Sequence, residues 1–280
     1  MGITRASGPS VFTTSSQRTS CLIIPDSHCN PSTSNRRYEW LGNLIVDRRP
    51  DIIVDLGDFG DLATLGVYDR GTKAAWGKYY KDEVEHIKKA NKIVFDEPIR
   101  RYNNTHAKAK KAKYAPRKIR LGGNHEEGRI NAFLHKNPEW VGHISIDDLG
   151  FRDYGCEYVP FLRPFHFSNV AFSHYWYVKT QRYPIGTAKQ ILKNNHKSSV
   201  SGHAHSYDLA TDYGIDGKRM TAIIAGCYLD PEYNAETFNY TGGHGTNQWT
   251  NGLTWLHDVN HYGEFDVEFI STDRVRQMYG

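Results

Sequence analysis

Four cysteines in 280 residues, with no CxxC pair and no framework spacing, argue against a disulfide scaffold and for a reducing compartment. Cys29 lies beside a polar motif described below, but a lone cysteine there reads as a small buried residue. No apolar run approaches the ~18 residues a membrane span requires. The first 20 residues are rich in Ser and Thr and carry Arg5 and Arg18 but no apolar core, so they read as a loose or docked tail rather than a secretory signal. The expected location is cytoplasmic, with no membrane partner. Charge of one sign is also scarce: a formal net charge of +4 neither demands nucleic acid nor excludes an anionic substrate. Internal repeats and low-complexity linkers are missing, so residues 21–280 are expected to form one domain. Apolar content is low at 39%, but aromatics at 13% can supply a core.

Short apolar runs supply the strands. Cys21-Leu22-Ile23-Ile24 reads as a buried strand ended by Pro25. Ser34 or Asn35 would cap a helix to Arg49, with Tyr38, Leu41, Leu44 and Ile45 inward and Pro50 as its stop. Asp51 to Leu56 is a second strand, so the opening reads as a βαβ unit. The 66 residues from Asp58 to Asn124 exceed the roughly 30 of a plain unit. A helical insertion over about 62–117 is therefore expected, with one helix from 73 to about 112 and Trp76, Tyr79, Tyr80, Val84, Ile87 and Ile93 on one face. A strand at 118–121 follows, then a helix burying Ile130, Phe133 and Leu134. Further strands are expected at 156–160, 169–174, 198–202 and 219–226, a helix from Gly186 to Asn194, and a hairpin of Leu253–Val259 with Phe265–Ile270. Residues 228–251, rich in Tyr, Gly and Asn, read as an ordered irregular loop in which His244 overhangs the site.

Polar clusters stand just after these runs: Asp26-Ser27-His28, Gly57-Asp58-Phe59-Gly60-Asp61, Gly123-Asn124-His125-Glu126, Ser173-His174 and Gly202-His203-Ala204-His205. Carboxylate, imidazole and carboxamide groups at successive strand ends can converge on one crevice. Such a mixed nitrogen and oxygen set suits two divalent transition metals, manganese first, with iron, zinc, cobalt or nickel as alternatives, and metal pairs of this kind serve phosphoryl chemistry.

In order and type the five motifs resemble those of the calcineurin-like metallophosphoesterases, and the long insertion resembles small members encoded by bacteriophages and prophages. The resemblance covers residues 21 to about 226. It implies an α/β fold: a sandwich of two mixed β-sheets flanked by helices (α-β-β-α), with a helical insertion after the second strand. It implies that Asp26, His28 and His205 hold one metal, that Asn124, His174 and His203 hold the second, and that Asp58 bridges them. A hydroxide between the metals would attack phosphorus, His125 would protonate the leaving oxygen, and Asp61 would orient His125. A host cytoplasm would be the setting for a phage-encoded chain. Phosphoprotein phosphatases of the superfamily carry Arg directly after the GDxxD motif, where this chain has Leu62. That departure, together with a basic run from Lys108 to Arg120, favours a phosphodiester in nucleic acid or a nucleotide, with a phosphomonoester or cyclic nucleotide as alternative substrate, and a non-catalytic binding protein as the rival class. The basic run Lys108, Lys110, Lys111, Lys113, Arg117, Lys118 and Arg120 reads either as a solvated helix end or as a strip contacting phosphate through Lys110, Lys111 and Lys113.

Overall fold

The structure, a computed structural model, describes residues 18–66, 79–178, 183–229 and 249–280. Two mixed β-sheets lie face to face between helices. The first has the order β11-β10-β1-β2-β3-β4, formed by β1 (Thr19–Ile24), β2 (Ile52–Asp55), β3 (Arg117–Leu121), β4 (Cys156–Val159), β10 (Gly252–Val259) and β11 (Asp266–Ser271). Strands β1 to β4 pair in parallel, and the β10–β11 hairpin joins β1 antiparallel. The second sheet has the order β5-β6-β7-β9-β8, from β5 (Phe165–Phe167), β6 (Val170–Ser173), β7 (Ser199–Ser201), β8 (Tyr207–Tyr213) and β9 (Arg219–Ala225). Its centre, β6-β7-β9, is parallel.

Strand alternation sorts the apolar side chains into layers. Leu22, Ile24 and Ile53 point outward to α1 (Arg36–Arg48), α2 (Tyr80–Phe95), α3 (Glu97–Lys108) and α6 (Thr272–Tyr279). Cys21, Ile23, Ile52 and Val54 point inward and meet Phe172, Val200 and Ile223 of the other sheet. On that sheet's far face, Ala222 and Ile224 pack on Ile191 and Leu192 of α5 (Ala188–Asn195). The layering is therefore α-β-β-α. Among the described residues, no helix is long and apolar enough to cross a membrane.

The insertion departs from expectation. One helix from 73 to 112 is replaced by two, with the break at Asp96, and its first residues, Trp76 included, lie outside the described ones. Pro98 causes the break: it lacks an N–H and suits only a first turn, so α3 starts afresh around it. Tyr79 is exposed, and the buried face of α2 carries Glu83 and Asn91 beside Ile87, Ala90 and Val94. Both polar residues are satisfied inside. Glu83 accepts the Ala63 and Thr64 amides and the Thr64 hydroxyl, and Asn91 donates to the Gly150 carbonyl. Phe133 and Leu134 are only half-buried, whereas Ile130 is in the core. Strands β5 and β8 and helix α6 are additional to the expected elements. The aromatic loop lies outside the described residues from 230 to 248, His244 included, as does the tail up to 17.

The basic run is divided by the same alternation. Arg120 on β3 is 1% exposed, and its guanidinium carbon lies 4.2, 4.8 and 4.4 Å from the ring centres of Phe59, Phe95 and Phe151. It donates to Asn91 Oδ1 at 3.0 Å and lies 3.6 Å from Asp55 Oδ2. Lys118 donates to the Phe95 and Tyr154 carbonyls, and Arg117 pairs with Glu157. Lys108, Lys110, Lys111 and Lys113 remain exposed.

Burial holds the Asp55 carboxyl up at about 6, against the pull of Arg120. Its ordinary value lies near 4, so its ionised form, which prevails at neutral pH, is the costly one in the folded state. Arg120→Met leaves that anion without its cation and should cost about 3–5 kcal/mol at pH 7 in urea unfolding. The loss should shrink as the pH falls from 7 through 6 toward 4, because folded Asp55 then takes up a proton. A loss that is constant with pH would disprove the pairing.

Candidate metal centre

All five polar clusters sit at the carboxyl ends of parallel strands, β1, β2 and β3 of one sheet and β6 and β7 of the other. Backbone hydrogen bonds join the strand-end loops. The amides of Ser27 and His28 both donate to the Asp58 carbonyl, at 3.1 and 2.9 Å, and the Gly202 amide donates to the His174 carbonyl at 3.0 Å. Asp58, His28, His203 and His205 adopt left-handed backbone, with φ of 53°, 45°, 70° and 57°. Such conformations persist only where the surroundings enforce them, and they gather at functional sites.

Two donor sets result. In the first, His28 Nε2 and His205 Nε2 lie 3.0 Å apart, with Asp26 Oδ1 3.6 Å from His205 Nε2. In the second, Asn124 Oδ1 lies 2.8 Å from His174 Nε2 and 2.9 Å from His203 Nδ1. Asp58 Oδ2 stands between the sets, 3.3 Å from His174 Nε2 and 4.0 Å from His28 Nε2. All these groups are buried except Asn124 and His203, which are half-buried. The groups Asp26-His28-His205 and Asp58-His174-His203 each bring their atoms close enough to hold a metal ion.

Proton accounting tests the fit. His174 Nδ1 lies 3.0 Å from the Leu56 carbonyl, which only accepts, so Nδ1 carries a proton. A neutral His174 would then aim a lone pair from Nε2 at the carboxamide oxygen of Asn124 and at the Asp58 carboxylate. Three acceptors facing one another require a cation between them, or a proton on Nε2. Burial pushes His174 down, but the carboxylates of Asp58, Asp26 and Glu126 outweigh it and hold the imidazole up at about 9. A proton thus occupies this place at neutral pH when no metal does. Burial and neighbouring imidazoles hold His28 and His203 down at about 4, so both are neutral donors at pH 7. The residues fit divalent cations that accept nitrogen as well as oxygen.

His125 stands apart from both sets. Its Nδ1 is 2.7 Å from Asp61 Oδ1, and its Nε2 is 4.0 Å from Asp58 Oδ2. Burial would raise the Asp61 carboxyl, but hydrogen bonds with His125 and His28 hold it well below the usual carboxylate range. Ionised Asp61 can only accept, so the His125 proton sits on Nδ1 and Nε2 faces the donor sets. Asp61 also lies 3.5 Å from His28 Nδ1, which makes His28-Asp61-His125 a third possible metal group. At 2.7 Å a hydrogen bond accounts for the contact between Asp61 and His125.

Glu126 has a larger structural part than a helix cap. Fully buried, it accepts the amides of Asp58 and Gly123 through Oε2 and of Gly60 through Oε1, and so ties the β2 loop to the β3 loop. Arg129 adds a clamp that the sequence reading lacked: Nη1 donates to the Asp61 carbonyl at 2.7 Å. Its spacing of four from His125 was the available signal, since such pairs share a helix face. Trp249, whose ring centre is 4.5 Å from that of His205, was legible only as part of the aromatic loop.

Lys110, Lys111 and Lys113 are not brought to the site. They follow α3 and precede β3, where Tyr114 Oη donates to the Pro50 carbonyl and Arg117 N to the Asp51 carbonyl. That is the amino end of β2, and the seven residues from there to Asp58 span roughly 20 Å.

Metal binding must displace the His174 proton. At pH 7 to 8, calorimetric titration with manganese in buffers of different ionisation enthalpy should show about one proton released, with affinity rising until pH about 9. No release would contradict the assigned lone-pair geometry. Gly202 gives a second check, since a Cβ there would overlap Asp26 Oδ2, and one at Gly123 would overlap Asp58. Gly202→Ala should lose metal from the Asp26 set, and retention of two ions by elemental analysis would refute the close approach.

In comparison with known proteins, the chain matches no family model and no curated sequence, so the functional case stands on these residues and their geometry.

Proposed function

We propose that this chain is a phosphoester hydrolase of the calcineurin-like metallophosphoesterase type, dependent on two divalent transition metals. One observation carries the reading: two donor sets, one buried and one partly so, face each other across the carboxylate of Asp58, while a carboxylate-bound imidazole, His125, stands beside them without belonging to either. A lone structural metal would need neither the shared carboxylate nor the separate imidazole. When bound, the cations would supply an activated water and neutralise the phosphoryl oxygens, with manganese the first candidate.

The chain's own groups take the remaining tasks. Asp26, His28 and His205 form one donor set, Asn124, His174 and His203 the other, and Asp58 joins them. Asp61 accepts from Nδ1 and fixes the direction of His125, and when both ring nitrogens carry a proton Nε2 gives its own to the leaving oxygen while Nδ1 keeps its bond to Asp61. Glu126 holds Asp58 and Gly123 in register. Leu62 is fully buried, so the position that bears Arg in phosphoprotein phosphatases offers no cation to a phosphate. That supports a diester, in a nucleotide or nucleic acid, over a phosphoprotein.

Purified protein with manganese should hydrolyse bis-p-nitrophenyl phosphate faster than p-nitrophenyl phosphate. The reverse order would point to a monoesterase, cleavage of cyclic nucleotides alone to a cyclic phosphodiesterase, and no turnover with any transition metal to a binding protein. His125→Ala should keep both metals and lose about 10²–10⁴ in rate on esters with poor leaving groups. Activated nitrophenyl esters should suffer far less. Equal losses on both would remove the proton-delivery role.

A further inference from the structure

β6 ends at Ser173, and after His174 the chain carries three consecutive aromatic residues whose side chains go different ways. Trp176 packs into the apolar cluster of α5 and β9, with Ile185 and Ile191. Its carbonyl accepts the Ile185 amide at 2.8 Å, and Ser173 Oγ donates to the Tyr175 carbonyl at 2.8 Å. The backbone is thus fixed on both sides of Tyr175. Tyr175 turns toward the metal donors: its ring centre is 4.7 Å from that of His203 and 5.4 Å from that of His174. Phe161 meets it edge-on at 5.4 Å. Tyr177 stands next in line, perpendicular to Tyr175 at 5.0 Å and 52% exposed.

We infer that Tyr175 and Tyr177 form a stacking step for the base of a nucleoside phosphoester whose phosphorus lies at the donor sets, an inference that rests on the phosphoester reading. The rings begin beside His203 and lead outward to solvent, the path taken by a substituent on a phosphorus held there. The backbone about Tyr175 and Trp176 is held by hydrogen bonds, so little ordering of the first ring is needed when a flat ligand lands on it. Stacking suits every base, since each has a π face, and it needs no cation. That matches a site whose exposed lysine run lies at the far end of the sheet.

The test compares thymidine 5′-(p-nitrophenyl phosphate) with ethyl p-nitrophenyl phosphate, which share a leaving group and differ in the base. The manganese-loaded protein should prefer the nucleoside ester in kcat/KM. Tyr177→Leu should reduce that preference by about 5- to 100-fold, through KM more than kcat, while Tyr177→Phe and Tyr177→Trp should retain it. A preference unchanged in Tyr177→Leu, or lost equally in Tyr177→Phe, would overturn the stacking step. Turnover of neither ester by the unaltered protein would instead defeat the phosphoester reading. Equilibrium dialysis of thymidine 5′-monophosphate with manganese would then decide the step alone: weaker binding by Tyr177→Leu upholds it, and equal binding refutes it. A thymidine oligonucleotide as competitor separates the sources of such a base. Inhibition at lower concentration than the monophosphate assigns the step to a single strand, and at equal or higher concentration to a free nucleotide.

Discussion

Asp58 is the residue on which the rest of the site depends. Its carbonyl accepts two amides from the β1 loop, its own amide donates to Glu126, Oδ1 accepts the His125 amide, and Oδ2 faces His174. One residue in left-handed backbone thus fixes the loops after three strands of one sheet to a histidine from the other. Burial raises the cost of its charge, yet the imidazoles of His174, His125 and His28 hold it well below the usual carboxylate range. A buried anion is tolerable only when its partners are placed correctly. The geometry of the crevice and the ionisation of Asp58 therefore stand or fall together.

The same electrostatics extends beyond the donors. Among the described residues, the buried carboxylates are Asp26, Asp55, Asp58, Asp61, Glu83 and Glu126, and the buried guanidiniums are Arg37 and Arg120. Backbone amides offset part of the excess: Glu83 and Glu126 each accept two or more, which makes the loops after β2 and β3 stiff. Arg37 donates to the Ser27 and Ser34 carbonyls and so braces the loop carrying Asp26 and His28. Cations bound between the donor sets would offset the remainder. Burial holds the carboxyls of Asp55, Glu83 and Glu126 up, toward their neutral forms, whereas those of Asp26, Asp58 and Asp61, beside the histidines, are held below the usual carboxylate range, so the negative charge is concentrated at and next to the donor sets.

Legibility in the sequence followed the range of the interactions. The strand-end motifs could be read because apolar runs and the polar residues after them are neighbours in the chain. Most of the strands and helices could be anticipated because apolar runs and helical spacing are local patterns as well, whereas their division into two sheets was implied only by the family resemblance. Glu83, Asn91 and Arg120 could not be read as buried, because their partners Ala63, Gly150 and Asp55 lie 20, 59 and 65 residues away. Charge alone placed Arg120 with the exposed lysines, whereas three aromatic faces draw it into the core. β8 is a mostly exposed edge strand, so its alternation is too weak to declare itself. The break at Asp96 was legible in Pro98, but the continuous amphipathic pattern on both sides hides it.

The position of the exposed lysines bears on how a substrate would be held. Attraction between a basic strip and a phosphate backbone is strong, independent of sequence and steeply weakened by salt. Lysines that lie near the amino end of β2, a strand's length of roughly 20 Å from Asp58, can contribute that force only to a polymer long enough to span the sheet. Beside the donors, Arg129 is tied to Asp61, and the position of Leu62 is apolar and buried. On the proposed function, grip on a small phosphoester would therefore come from metal charge at phosphorus and from apolar contact with its substituents. If Tyr175 and Tyr177 offer such contact, as proposed, discrimination among substrates would depend more on what the phosphate carries than on how many phosphates it has.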